Sequence, residues 1–113
     1  MLVTVRQLPK EQFRDMMCIY NEKERFAFAM DQLKHNNYIR VADIDIQKGE
    51  NPYETAFTLT QNLNNAWYLN PRIEVANDFK GGCRSTSVGD IIQIRGASFM
   101  VDSFGFTELR KDS

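Results

Sequence analysis

The stretch from Ile91 to Phe104 restricts the possible folds more than any other part of the chain. Ile91 to Arg95 and Phe99 to Phe104 are two β-rich runs separated by little more than Gly96-Ala97. A connection that short joins antiparallel neighbours, because a parallel pair needs a crossover of about a dozen residues. Just upstream, Ser87-Val88-Gly89-Asp90 places Gly where a type II turn takes a positive φ. Gly105 interrupts the second run and is expected to mark a bulge. The C-terminal part is therefore read as a β-hairpin, and the sheet it joins as mostly antiparallel.

The other segments extend that sheet and supply helices. Leu2 to Gln7 and Arg72 to Ala76 are short strand candidates. Tyr38 to Ile46 is a longer one, with Ala42, Ile44 and Ile46 on one face and Asp43 and Asp45 on the other. Pro9 suits the first turn of a helix, and Phe13, Met16, Met17 and Tyr20 follow at helical spacing. Asn21 and Glu24 form a capping-box pattern before the stripe Phe26, Ala29, Met30 and Leu33, which favours two helices over one long one between residues 10 and 35. Asn51-Pro52 with Glu54 repeats the start signal. Tyr53, Ala56, Phe57, Thr60 and Leu63 then give a third stripe, expected to end within Asn62 to Asn65. Lys80-Gly81-Gly82 reads as a turn. With 113 residues and no internal repeat or linker, the expectation is a single α+β domain over 1–113, with two or three helices packed on one face of the sheet.

Charge narrows the function classes. Fourteen Lys and Arg against fifteen Asp and Glu leave a formal charge of −1, which excludes a strongly basic nucleic-acid binder. The balance is uneven along the chain: residues 41–70 hold four acids and one base, and no Lys or Arg lies between Lys48 and Arg72. The opening residues carry an apolar stretch too short for a secretory signal, and no apolar run reaches the roughly 20 residues of a membrane span. Cys18 and Cys83 are far apart without a CxxC, so two reduced thiols, a cytoplasmic location, no metal and no cofactor are expected.

Few residues offer chemistry. His35 is the one histidine and sits at a helix C-terminus, where the helix dipole favours a cation, so a histidine-based hydrolase is disfavoured. Asp43 and Asp45 share one side of a strand and could hold Mg²⁺ if Asp90, Glu50 or Glu54 came close; otherwise they are its wet face. Gly81-Gly82-Cys83-Arg84-Ser85-Thr86-Ser87 has the composition of an anion loop but leads to a turn and a strand, not a helix. Its hydroxyls are better read as satisfying local backbone groups, with Arg84 salt-bridged or solvated. Trp67 and Tyr68, among the asparagines of 62–70, suit either a core anchor or a binding surface.

Arg84-Ser85-Thr86-Ser87-Val88-Gly89-Asp90-Ile91-Ile92, followed by Phe99-Met100-Val101-Asp102-Ser103-Phe104-Gly105-Phe106, resembles the RS-x-SV-x-D plus VDS-x-GF signature of YodL-like proteins and small uncharacterised phage- and plasmid-borne proteins. Ala56 to Asn70 is similar to the helix-to-Trp portion of the same proteins, so the likeness spans roughly residues 54–110. It implies an accessory protein of a mobile element, acting in the bacterial cytoplasm on a host or phage protein. The turn also resembles the GD-x-I turn of PUA-like and ASCH-like barrels, which would imply RNA binding. The leading expectation is a non-enzymatic protein binder, a second copy of the chain being one candidate partner. Its candidate binding residues are Trp67, Tyr68, Arg84, Ser85, Thr86, Ser87 and Asp90. The alternatives are a nucleic-acid module using Arg72, Lys80, Arg84 and Arg95, and a Mg²⁺-dependent enzyme around Asp43 and Asp45.

Overall fold

A computed structural model of the chain describes residues 1–63, 65–76 and 84–110. Among them, six strands form one sheet: β1 (Leu2–Gln7), β2 (Ile39–Asp45), β3 (Ile73–Val75), β4 (Ile91–Ile94), β5 (Ala97–Val101) and β6 (Phe106–Glu108). Their order is β3-β2-β1-β4-β5-β6, and every neighbouring pair is antiparallel. Three α-helices, α1 (Lys10–Met17), α2 (Glu22–Lys34) and α3 (Pro52–Leu59), and a 3-10 turn at Trp67–Leu69 complete the described elements. The α+β class and the antiparallel sheet agree with the sequence. No described helix is long and apolar enough to cross a membrane.

The helices do not share one face of the sheet. Ile92, Ile94, Val3, Val5, Ala42 and Ile44 pack with Ala56, Tyr53 and Phe57 of α3. Ile91 and Met100 pack instead with Met16 of α1 and Ala29 of α2. Neighbouring residues on a strand point to opposite faces, and Ile91 and Ile92 are both fully buried. One-face packing is therefore corrected: α3 covers one face, and α1 with α2 covers the β4–β5 part of the other.

A bulge in β2 serves this division. Val5 pairs with Ala42 but Arg6 with Arg40, so Val41 is the extra residue. Beyond it the side-chain alternation reverses, and Tyr38 joins the α1–α2 cluster while Ala42 and Ile44 join that of α3.

Helix boundaries follow their caps. The Asn21 side chain accepts from the Lys23 and Glu24 N–H groups, and Asn51 does the same for Tyr53 and Glu54. The region 10–35 is two helices. Because α1 stops at Met17, its 3.6-residue period never reaches Tyr20, which is 89% exposed and not part of the apolar stripe. α3 likewise ends at Leu59, before the expected 62–65. The Thr60 hydroxyl donates to the Ala56 and Phe57 carbonyls, closing the last turn, and Leu63 is left in solvent.

The hairpin is one residue out of the expected phase. Ile94 pairs with Ala97, and the loop is Arg95-Gly96, both at positive φ as a type I′ turn requires. The expected Gly105 bulge is instead the end of a turn, Asp102 to Gly105, that leads into β6.

Candidate functional site

Two segments that the sequence marks separately, the Trp67 region and the Arg84–Asp90 turn, form one unit. The Trp67 Nε1–H donates to the Arg84 carbonyl at 3.0 Å. The Asn62 N–H donates to Ser85 Oγ at 2.8 Å, and the Gln61 side chain donates to the Thr86 carbonyl at 2.8 Å. Thr86 N–H reaches the Thr60 carbonyl, and Gln7 of β1 donates to both the Arg84 carbonyl and Thr86 Oγ1. The loop that follows α3 is thereby laced to the start of the C-terminal hairpin.

Asp90 is the centre of the turn and is 1% exposed. One carboxylate oxygen accepts from the Leu8 N–H and Arg84 Nη2, and the other from the Ser87 N–H and Arg84 Nη1. Those four bonds occupy the lone-pair sites that a carboxylate offers. Burial pushes the Asp90 carboxyl up, against the Arg84 guanidinium and the two N–H groups, which favour the charged form. Arg84 also donates to the Leu8 carbonyl and lies 3.8 Å above the Phe13 ring. Tyr38, a buried phenol held above its ordinary range first by desolvation and then by Asp90, donates to the Gly89 carbonyl at 2.6 Å. Arg84, Thr86 and Asp90 face inward, where they tie β1, α1 and the hairpin together.

The outward side of the unit carries exposed apolar side chains among amides. Trp67 is buried, but its neighbours in the 3-10 turn are not: Tyr68 is 36% and Leu69 68% exposed. Leu63 also stands in solvent. An open groove of about 400 Å³ runs beside them, lined by Leu59, Gln61, Trp67, Leu69, Asn70 and Pro71 among others. Sequence reasoning missed Leu69, Leu63 and the groove. A leucine among asparagines carries no periodic signal, and the outward turn depends on Trp67 being anchored 17 residues away in sequence.

The other candidates are occupied. Arg72, in the proposed nucleic-acid set, is paired with Glu50 at 2.6 Å, and this guanidinium holds the Glu50 carboxyl below its usual range. Arg84 is committed to Asp90, Arg95 is exposed at the hairpin tip, and Lys80 lies outside the described residues, as do Gly81, Gly82 and Cys83. Asp43 accepts from the Thr4 hydroxyl at 2.7 Å and from Arg40 at 2.8 Å. Among the described residues, no three His, Cys, Asp or Glu side chains converge as a metal would need. His35 is exposed at the C-terminus of α2, beside Asp31. No family model, curated protein or solved structure matches the chain.

Proposed function

We propose that this chain is a non-enzymatic accessory protein of a phage or other mobile element, binding a host or phage protein in the bacterial cytoplasm. The observation that supports protein binding is the outward face of the Trp67 turn. Tyr68 and Leu69 are held on a short rigid turn whose anchor is buried, next to a groove with mixed apolar and amide walls. Protein-binding surfaces favour this arrangement, because an aromatic or aliphatic anchor already fixed in place loses little freedom on binding. Gln61 Nε2 and Asn70 Oδ1 are held in internal bonds to the Thr86 carbonyl and the Arg72 N–H, which orients Gln61 Oε1 and Asn70 Nδ2 as the amide atoms that can pair with a partner's backbone. The mobile-element origin rests on the resemblance of the Arg84–Asp90 and Asp102–Phe106 sequences.

A photo-reactive phenylalanine analogue at position 68 or 69, introduced in the producing cell, tests the reading. A discrete cross-linked protein from positions 68 and 69, absent from exposed Glu11 of α1, is expected. No adduct, or the same adducts from all three positions, would overturn it. Leu69→Ser should reduce the yield at position 68 without changing the melting temperature.

A further inference from the structure

The groove beside the Trp67 turn does not stop at the end of α3. Thr58 and Leu59, which line it, also line a second open groove of about 310 Å³, whose other walls are Glu50, Glu54, Thr55 and Arg72. The two adjoin along one side of α3, from Leu69 near its C-terminal end to Glu54 in its first turn. The helix has eight residues and so rises about 12 Å. An extended chain advances about 3.3 Å per residue, so roughly four residues would run the length of both grooves.

The two ends differ in chemistry. At one, Leu69 stands exposed beside buried Trp67. At the other the groups are charged, and all but one are matched. Arg72 donates through Nη2 to Glu50 Oε1 at 2.6 Å and through Nη1 to Oε2 at 3.1 Å, and Nη2 also reaches the Asp45 carbonyl. Glu54 is exposed, and its carboxylate enters no ion pair among the described residues. Because Arg72 matches Glu50, the second groove keeps one uncompensated negative charge, that of Glu54. We propose that the occupant is an extended peptide segment of the partner, with an apolar side chain against Leu69 and a Lys or Arg two to four residues away paired with Glu54.

This rests on the reading of the Trp67 turn as a protein-binding surface and adds the sequence chemistry of what binds there. An extended segment fits because its backbone N–H and C=O groups are free to meet Gln61 Oε1 and Asn70 Nδ2; those of a helix are used internally. A base fits because it matches the one open charge. An acidic segment would instead set another carboxylate beside Glu54 and Glu50, and like charges across an interface oppose binding.

Selection of random heptapeptides displayed on phage against the intact chain tests the proposal. Peptides with Lys or Arg two to four positions from Leu, Ile, Met or Phe should be enriched. Fluorescence anisotropy of the best selected peptide then locates it. Glu54→Gln should weaken its binding by about 3-fold, as for an exposed ion pair, and Leu69→Ser by about 10-fold. Glu54 and Thr58 also border the groove on the other side of α3, so the obstruction is placed at Thr55, which lines the groove with Arg72 and not that one. Thr55→Trp should weaken binding by about 10-fold. Glu54→Lys should lose the basic peptide, and Glu in place of its Lys or Arg should restore binding to that variant. Unchanged circular dichroism melts show that the variants fold. No enrichment, enrichment without a basic position, or the same basic peptides selected by Glu54→Lys would overturn the proposal. If positions 68 and 69 still cross-link a discrete protein, the Trp67 reading survives that outcome; if they do not, it falls as well.

Discussion

The turns at Ser87–Asp90 and Asp102–Gly105 are built from the same parts and do opposite things. Each has an aspartate whose carboxylate accepts a nearby backbone N–H, a partner arginine, and a glycine at positive φ, +95° at Gly89 and +84° at Gly105. In the first turn everything points inward. Asp90 is buried, and a Cβ built on Gly89 would lie 2.5 Å from Met16 Cγ. In the second, a Cβ on Gly105 would meet nothing within 4 Å, and one of the two residues between aspartate and glycine is a phenylalanine, Phe104, in solvent. The same local chemistry serves as an internal fastener in one place and as a mount for an exposed side chain in the other. The difference lies in what packs against the turn.

Substitutions at matched positions should separate the two. Asp90→Ala leaves a guanidinium and the Leu8 and Ser87 N–H groups without their acceptor, and should cost about 3–5 kcal/mol. Urea denaturation followed by circular dichroism measures this, and a loss below about 1 kcal/mol would remove Asp90 from the centre of the fold. Gly89→Ala combines left-handed strain with overpacking of Met16, an expected loss of about 2–4 kcal/mol; a β-branched Val there should be worse. Asp102→Ala removes the charged acceptor of Arg25, for about 2 kcal/mol, a smaller effect than at Asp90 because the turn is closer to solvent. Gly105→Ala meets only the strain, about 1 kcal/mol, and a thermal shift equal to that of Gly89→Ala would show that the two glycines are not distinguished by packing. Phe104→Ser should leave stability within about 0.5 kcal/mol, the range of an ordinary surface change. A larger drop would mean that the ring is packed in solution.

Much of this contrast lies beyond what local sequence carries. The caps at Asn21 and Asn51, the turn at Gly89 and the strand character of Leu2–Gln7 and Ile39–Asp45 are local signals, and the structure contains them. The fate of an exposed or buried side chain at an element's end is not local. Tyr20 and Leu63 continue helical stripes on paper, yet their helices stop first. Ile91 and Ile92 are both core because each face of the sheet has its own helical cover, which no single strand records. The phase of the β4–β5 hairpin depends on Arg95 accepting a positive φ, a conformation more readily expected of Gly. For the candidate site, the sequence singles out Trp67, Arg84 and Asp90, but their joining depends on bonds such as Trp67 to the Arg84 carbonyl. That contact shows Trp67 to be the anchor and its neighbours Tyr68 and Leu69 the surface.

The extra residue in β2 has a consequence for how such a chain can change length. Arg40 and Asp43, three positions apart, would lie on opposite faces of a regular strand, yet they form a 2.8 Å ion pair. Val41 makes this possible by switching the strand between two phases, one serving Tyr38 and Arg40, the other Ala42 to Asp45. Deleting Val41 would make Arg40 and Ala42 neighbours on a regular strand, which already places them on opposite faces, so both halves would keep their interiors and only the bulge would go. A one-residue insertion or deletion away from the bulge acts differently: on the N-terminal side it flips Tyr38 and Arg40, on the C-terminal side Ala42 to Asp45, so each disturbs a different core. In β2, then, a shift of the reading by one residue is a choice between two interiors, and the protein needs both choices made at once.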